Sequence, residues 1–416
     1  MIAIVGAGIS GLALAHALAA RNIPFVVLEE SGTAGGVIRS RFEDGHLLEL
    51  GPQRTRLVPG VKALVGDLGL NADLITAPSD LPLFVYRDGA LRTVPRSFAE
   101  LARTDLLGGS AKLRVLLEPF TRGESRDESV AHYFTRKLGR DAYNHLVGPL
   151  YGGLYASDPA NMQVGLSLGH TLRELGVHRS LIMRGLRAGG RLRVPAACSF
   201  RQGMQTLPVA LAERHASNVR FHTRVAELSG SRGAFRIETE SGVIQAERVV
   251  MTTAAQPAAL LLSAIAPEAS LAIASLRYNP LAIVHMHSMD EVKRGFGFQV
   301  SFAEEMFTRG VTFNHAMFER TGVYTSYLGG AQHAEVVSWT DDRIAGVACD
   351  EFQRVTGASA RTLSVTRAAM PAWDRSWSAL QNLPAIDGIH FCTNWEGRPG
   401  VPGRIAAAQR LAARLA

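Results

Sequence analysis

Three glycines and one acid near the start of the chain have the types and spacing to bind a phosphate-bearing nucleotide. Gly6-Ala7-Gly8-Ile9-Ser10-Gly11 follows an apolar run, Ile2 to Val5, and opens an Ala/Leu-rich stretch, Leu12 to Ala20. This order predicts a strand, a tight turn and a helix. Asn22 suits a left-handed helix stop, and Pro24 leads into a second predicted strand, Phe25 to Leu28, that ends at Glu29. Such a βαβ unit gives each residue a task. Gly6 permits the turn, Gly8 lets backbone amides approach a pyrophosphate, and Gly11 allows the helix to pack closely on the strand. The helix N-terminus supplies partial positive charge to the phosphates. Glu29 stands where a carboxylate accepts hydrogen bonds from ribose hydroxyls. A lone GxGxxG is only a Gly-rich turn; with strand, helix and acid in place, a dinucleotide site is the expectation.

No other set of reactive side chains has comparable spacing. His285 and His287 lie two apart on a predicted strand and so share a face, which could suggest a metal pair. No third ligand is recognisable, so a structural role and no metal are expected. Cys198, Cys349 and Cys392 lie far apart without a CxxC pair, which argues against a disulfide framework or thiolate metal site and fits a reducing cytosol.

These residues need a scaffold, and the composition provides one. The 416 residues are 47% hydrophobic and 19% charged, with 41 Gly and 18 Pro, which excludes a disordered or fibrous chain and predicts two to three domains. The net charge of +7 makes anionic partners plausible: nucleic acid, acidic lipid or a carboxylated ligand. No nucleic-acid partner is expected, since zinc-finger, basic-zipper and aromatic RNA-binding signatures are all missing. Met1 to Val5 enters a strand without a charged n-region, so no export signal is visible and a cytoplasmic location is expected. The longest uncharged stretch, Val249 to Pro267, is interrupted by Thr252, Thr253, Gln256 and two prolines, which predicts a strand and buried helix, not a membrane span.

From about Leu81 to Arg201 the chain becomes helix-like and Arg-rich, broken at Gly108-Gly109, Pro119, Gly152-Gly153 and Gly189-Gly190. Strand signals return at Val219 to His222 and in the alternating Phe235 to Glu240, with a turn at Ser241-Gly242 into Val243-Ile244, then at Val249 to Met251. Leu281 to Val284, Phe296 to Val300, Gly310 to Phe313 and Val323 to Leu328 predict an antiparallel sheet able to roof a ligand cavity. Gly388 to Cys392 reads as a buried strand, and a Gly/Pro loop then leads to a helix start at Ile405 to Ala408.

After Glu29 the chain reads Glu30-Ser31-Gly32-Thr33-Ala34-Gly35-Gly36, and past a turn at Asp44-Gly45 it reads Leu48-Glu49-Leu50-Gly51-Pro52-Gln53-Arg54. These segments resemble the flavin amine oxidase superfamily, whose members carry a GG motif after the ribose acid and an ELGP-type loop beside FAD. Later segments are similar to one branch, the protoporphyrinogen and coproporphyrinogen III oxidase family. Gly66-Asp67-Leu68-Gly69-Leu70 resembles its ELGL-type helix end, and Gly152-Gly153-Leu154-Tyr155-Ala156-Ser157-Asp158-Pro159 resembles its GVYAGDP segment. Ser199 to Leu207 is similar to its S-x-x-G-G-x-Q-T-L segment, with Gln202 replacing one glycine. Phe296-Gly297-Phe298 and Leu328-Gly329-Gly330-Ala331 match two more patches, so the resemblance runs nearly end to end.

The resemblance implies an α/β fold with a discontinuous Rossmann-like FAD-binding domain from 1–80, 202–265 and 370–416. An inserted helical, membrane-associating domain at 81–201 and an antiparallel-sheet substrate domain at 266–369 complete it. Non-covalent FAD would be held by Gly6, Ala7, Gly8, Ile9, Ser10, Gly11, Glu29, Glu30, Gly35, Gly36, Gly51, Pro52, Gln53, Arg54, Val225, Gly400, Val401 and Pro402. Phe318 and Gly153 are the implied contacts to a tetrapyrrole substrate. Leu83 stands where many family members carry an arginine facing a substrate propionate, which implies a more open, solvated site. The loop Asn394 to Arg404 also departs from the family's GVGVPDC-like run.

The implied reaction is a six-electron oxidation of protoporphyrinogen IX, or of coproporphyrinogen III, in haem biosynthesis. No second GxGxxG is apparent for a nicotinamide, so molecular oxygen is the expected acceptor. Arg173, Arg179, Arg184, Arg187, Arg191 and Arg193 oppose one acid, Glu174, and interleave with Leu175, Leu181, Ile182, Met183 and Leu186. Such a run is usually a solvated face; here it could bind propionates or lie on anionic lipid, with peripheral attachment to the inner face of the cell membrane. A homodimer is compatible with the resemblance. The alternatives are a flavin amine oxidase, a carotenoid desaturase, or a flavin-free prenyl-lipid carrier.

Overall fold

A computed structural model of the chain describes residues 1–123, 127–169, 172, 176–177, 179–187, 189, 194–397 and 400–416, and for 154 and 155 the backbone only. The chain forms two compact units, one of Met1–Thr76, Pro195–Leu276 and Ser378–Ala416, the other of Ala77–Val194 and Arg277–Trp377. The expected helical and sheet segments thus share a unit, and the boundary expected after 201 falls at Pro195.

The first unit is built on a five-stranded parallel sheet in the order Val219–Arg220, Phe25–Leu28, Ile2–Val5, Arg248–Met251, Ile389–Phe391. Ile2–Val5 and Phe25–Leu28 are buried along their whole length, the unbroken apolar pattern of a parallel sheet covered on both faces. The helices Ile9–Ala19, Thr206–Arg214 and Val401–Leu415 share one core with this sheet. Alanines at 13, 15, 17, 408 and 412 let the first and last helices pack side by side. Asn22 has the expected left-handed backbone, φ 56°.

Ala197–Phe200 is a strand between Thr55–Arg56 and Leu74–Thr76, which is why Pro195–Arg201 belongs to this unit. A separate meander joins Val225–Ser229, Phe235–Thr239 and Gly242–Ala246, whereas Arg248–Met251 enters the parallel sheet.

The second unit carries a seven-stranded sheet ordered Arg361–Pro371, Tyr278–His287, Val323–Gly329, Thr308–Phe313, Gly297–Val300, Leu83–Arg87, Ala90–Thr93. The four strands expected to form an antiparallel sheet do so, whereas Leu83–Arg87 and Ala90–Thr93, in the stretch expected to be helical, are strands that extend it, and Gly297–Val300 pairs with Leu83–Arg87 in parallel. No hairpin joins these two strands, so no turn imposes the antiparallel sense. Alternation sorts Tyr278–His287, with Ala282, Val284 and Met286 in one core and Leu281 and Ile283 in another. The helix Asp341–Thr356 covers the first of these faces with Ile344, Ala348 and Phe352.

The helices Phe98–Arg103, Gly109–Leu116, Val130–Leu138 and Gly148–Tyr155 lie in the same unit. Among them Lys137 and Glu118, both fully buried, form an ion pair at 3.0 Å. Glu118 also accepts hydrogen bonds from Ser180 Oγ, Leu181 N and Ile182 N, and so anchors the helix Leu181–Arg187. Arg173, Glu174, Leu175, Arg191 and Arg193 of the basic run lie outside the described residues.

Candidate active site

The nucleotide loop sits where the parallel sheet changes direction, since Ile2–Val5 pairs with Phe25–Leu28 on one side and Arg248–Met251 on the other. In such sheets the crevice beyond the carboxyl ends of the strands at this point is the ligand site. The first helix leaves the carboxyl end of Ile2–Val5, and the helix Val401–Leu415 follows Ile389–Phe391 in the same sheet. Neither has a side-chain N-cap bond or an acid in its first turn, so two positive helix ends lack an internal anion.

The three glycines differ in what surrounds them. A Cβ on Gly11 would lie 2.1 Å from the Gly6 carbonyl oxygen, and one on Gly6, φ 108°, would meet Thr252 Oγ1 at 2.9 Å. These two are required by packing. Gly8 is extended, φ −72°, and the nearest neighbour of its Cβ would be the Gly35 carbonyl oxygen at 3.9 Å. The space in front of Gly8 is free for a ligand, while Ile9 and Ser10 form the buried first turn.

Glu29 is buried at the end of Phe25–Leu28. Its Oε2 accepts from Ala7 N at 2.7 Å, and its Oε1 accepts from Ser31 N at 2.9 Å and Ser31 Oγ at 2.8 Å. A carboxylate offers about four acceptor directions, so capacity for a ribose hydroxyl is left. Glu30 beside it is exposed. Thr223 N donates to the Glu29 carbonyl, which brings Val225, two residues on and half-buried, to the same end of the sheet.

Gly35 N donates to the Ala7 carbonyl, and a Cβ on Gly36, φ 60°, would approach the Gly8 Cα at 3.4 Å. The two glycine motifs therefore make one surface. A Cβ on Gly51 would lie 1.9 Å from the Val37 carbonyl oxygen, which adds the Gly51-Pro52 turn to it. Gln53 turns inward, its Nε2 donating to the carbonyls of Glu49 and Gly51, so its amide shapes this turn; Arg54 is half-buried beside it.

A buried network that the residue types did not announce holds these loops. Glu49, fully buried, accepts from Ser40 Oγ at 2.6 Å and from Met204 N at 2.8 Å. Gln205 accepts from Ser40 N and donates to the Ala34 carbonyl. The Leu48 to Arg54 and Ser199 to Leu207 segments thus lock together around Ser40. Thr252, read in the sequence only as an interruption, donates to the Val5 carbonyl at 2.7 Å.

At the C-terminal loop Gly400 caps the last helix with φ 88°, followed by buried Val401 and by Pro402 in the first turn. The helix starts before the expected Ile405, because a first-turn proline has no intrahelical hydrogen bond to lose. Arg398 and Pro399 lie outside the described residues. Burial pushes the Cys392 and Cys198 thiols up to about 11, which keeps both protonated at neutral pH.

The substrate candidates have different surroundings in the second unit. Leu83 packs with Val85, Val94, Leu106, Leu146 and Leu150, an apolar cluster and not the open, solvated edge expected. Gly153 lies under Gln299, whose Oε1 would be 1.5 Å from an added Cβ, and Gly148 and Gly152 receive the ring of Phe302 in the same way. Phe318 is buried at the end of Asn314–Phe318, with the Arg320 guanidinium 5.5 Å from its ring centre. His285 is fully buried, and among the described residues no group of three His, Cys, Asp or Glu could hold a metal.

Residues 9–400 match the family of flavin containing amine oxidoreductases. The chain belongs to this family. This flavin-containing oxidoreductase uses FAD, and the surface of Gly8, Gly36, Glu29 and the uncapped first helix fits the nucleotide half of that cofactor. The chain is 26% identical to protoporphyrinogen oxidase 2 of Arabidopsis thaliana over 99% of its own length and 92% of that protein. It is also 26% identical to coproporphyrinogen III oxidase of Bacillus subtilis, over 85% and 82% of the two chains. A solved structure provisionally assigned as a protoporphyrinogen oxidase, from Exiguobacterium sp. 255-15, shares its fold. The TM-score is 0.78, with 20% identity over 100% of this chain and 98% of that one.

Proposed function

We propose that this flavoenzyme oxidises porphyrinogens in haem biosynthesis, removing six electrons from protoporphyrinogen IX to form protoporphyrin IX, with oxygen as acceptor. The observation that carries this reading is similarity along 99% of the chain to a protein named protoporphyrinogen oxidase. Bound FAD supplies the two-electron acceptor. The chain binds the dinucleotide at Gly6–Gly11, Glu29 and the Gly35-Gly36 loop, and the packing of Ser40, Glu49 and Gln205 holds those loops in place. Neutral, buried Cys198 and Cys392 are poor nucleophiles, which favours non-covalent FAD.

Removal of six hydrogens in two-electron rounds, each returned to oxygen as hydrogen peroxide, requires about three oxygens per porphyrin. An oxygen electrode coupled to porphyrin fluorescence is expected to give that ratio. A ratio near one, or activity on a monoamine and none on porphyrinogens, assigns the protein to amine oxidation instead. Similarity to a coproporphyrinogen III oxidase favours a second reading, in which coproporphyrinogen III is also oxidised. The same fluorescence assay with each porphyrinogen under air measures both.

We place the protein peripherally on the inner face of the cell membrane. Leu113, Leu116, Leu117 and Phe120 are exposed, and so are Met183 and Leu186 beside Arg184 and Arg187. Glu118 ties the two segments together, and Ile182 packs into the core beneath them. Apolar side chains beside arginines suit an anionic bilayer surface. Among the described residues no helix is long and apolar enough to cross a membrane. Phe120→Glu is expected to lower co-sedimentation with phosphatidylglycerol vesicles about tenfold, with unchanged turnover in detergent. Equal binding by both proteins removes this surface from the proposal.

A further inference from the structure

The second unit buries a guanidinium that makes no direct ion pair among the described residues. Arg309 lies in Thr308–Phe313 and is 7% exposed. The ladder with Val323–Gly329 shifts between Thr308 and Gly310, so Arg309 occupies a β-bulge, a feature that re-aims a side chain. Its Nη1 donates to Gln332 Oε1 at 2.5 Å, while buried Nε and Nη2 have no partner. The side chain borders a narrow recess lined by Gly152, Ala156, Ser157, Gly329, Ala331 and Gln332, none of them acidic. Glu351, the acid whose charge acts on it, spends its two oxygens on Phe307 N and Thr308 N. Burial lowers the Arg309 pKa to about 10, which leaves it charged at neutral pH.

Leaving a buried cation unpaired is costly, and sites that retain one commonly use it. Gly152 and Gly153 lie on one turn of helix, and Gln299, packed between Gly153 and Gly310, presents a third unpartnered buried atom, its Oε1. Gln332 is exposed, so it can leave the guanidinium without opening the core.

We infer that Arg309 is the carboxylate-recognition residue of this chain, taking a substrate propionate in place of the amide oxygen of Gln332. This rests on the porphyrinogen reading. It assigns to the β-bulge the role that Leu83, enclosed by apolar side chains, cannot fill. The guanidinium keeps two planar N–H directions for the carboxylate, the geometry in which arginine binds such groups best.

The test compares binding of protoporphyrin IX and of its neutral dimethyl ester to the FAD-loaded protein, followed by fluorescence quenching. Wild type is expected to bind the free acid about tenfold or more tightly than the ester, the yield of one charge-assisted hydrogen bond. Arg309→Met is expected to bring that ratio to about one with ester affinity and melting temperature unchanged or raised. If Arg309→Met does not accumulate, Gln332→Glu on the exposed rim tests the same point by placing a carboxylate on the guanidinium. It should weaken the acid about tenfold and spare the ester. An unchanged acid-to-ester ratio in these variants overturns the assignment of Arg309 while leaving the porphyrinogen reading intact. A wild type that binds neither ligand and oxidises no porphyrinogen overturns both.

Discussion

Gly8→Asp protein is expected to purify colourless yet folded. The residue is the N-cap of the first helix, where aspartate is among the preferred side chains, and its extended backbone and open Cβ position impose no strain. The new carboxylate would satisfy the helix N-terminus and fill the space that a pyrophosphate requires. Repulsion and steric exclusion together should weaken FAD about a hundredfold or more. Gly11→Val provides the contrast, because a Cβ there meets the Gly6 carbonyl oxygen at 2.1 Å. That variant should lose the fold along with the flavin. Flavin absorbance and circular dichroism, measured side by side, separate the two cases. Full flavin occupancy in Gly8→Asp would reject the nucleotide site.

A large loss of stability is also expected from Lys137→Met. Lys137 and Glu118 are both fully buried and 3.0 Å apart, and Lys137 also donates to the Arg179 carbonyl. Removing the ammonium strands a carboxylate in the interior, a change that costs about 3–5 kcal/mol. The double variant with Glu118→Gln removes the stranded charge and should regain part of that loss, although Leu181 and Ile182 then keep a weaker acceptor. Urea denaturation of the single and double variants measures the coupling. A Lys137→Met protein as stable as wild type would show that the pair is solvated.

The nucleotide half of the molecule was legible because its signals are local. An apolar run, spaced glycines, an Ala/Leu stretch and an acid follow one another from Ile2 to Glu29, and alternation and glycine spacing report the backbone directly. The hairpin at Asp44-Gly45 is of the same kind, with φ 49° and 76° at its two residues. Local signals failed where one residue had two meanings. Pro402 looks like a helix breaker, yet sits in a first turn where proline is tolerated. Gly152 and Gly153 look like loop residues, yet they let Phe302 and Gln299 lie against a helix.

The sequence by itself determined the βαβ turn, the strands and helix on either side of it and the acid at its end, since these depend on neighbours within a few turns of chain. Only the tertiary structure decided that Leu83–Arg87 runs parallel to Gly297–Val300, that Glu49 binds Ser40 and Met204, and that Arg309 is buried at a bulge with Nε and Nη2 unpartnered. The pairing of distant strands is set by which apolar faces they bury together, and a buried polar group is satisfied by whichever atoms that packing brings within about 3 Å of it. Neither is a property of residue spacing.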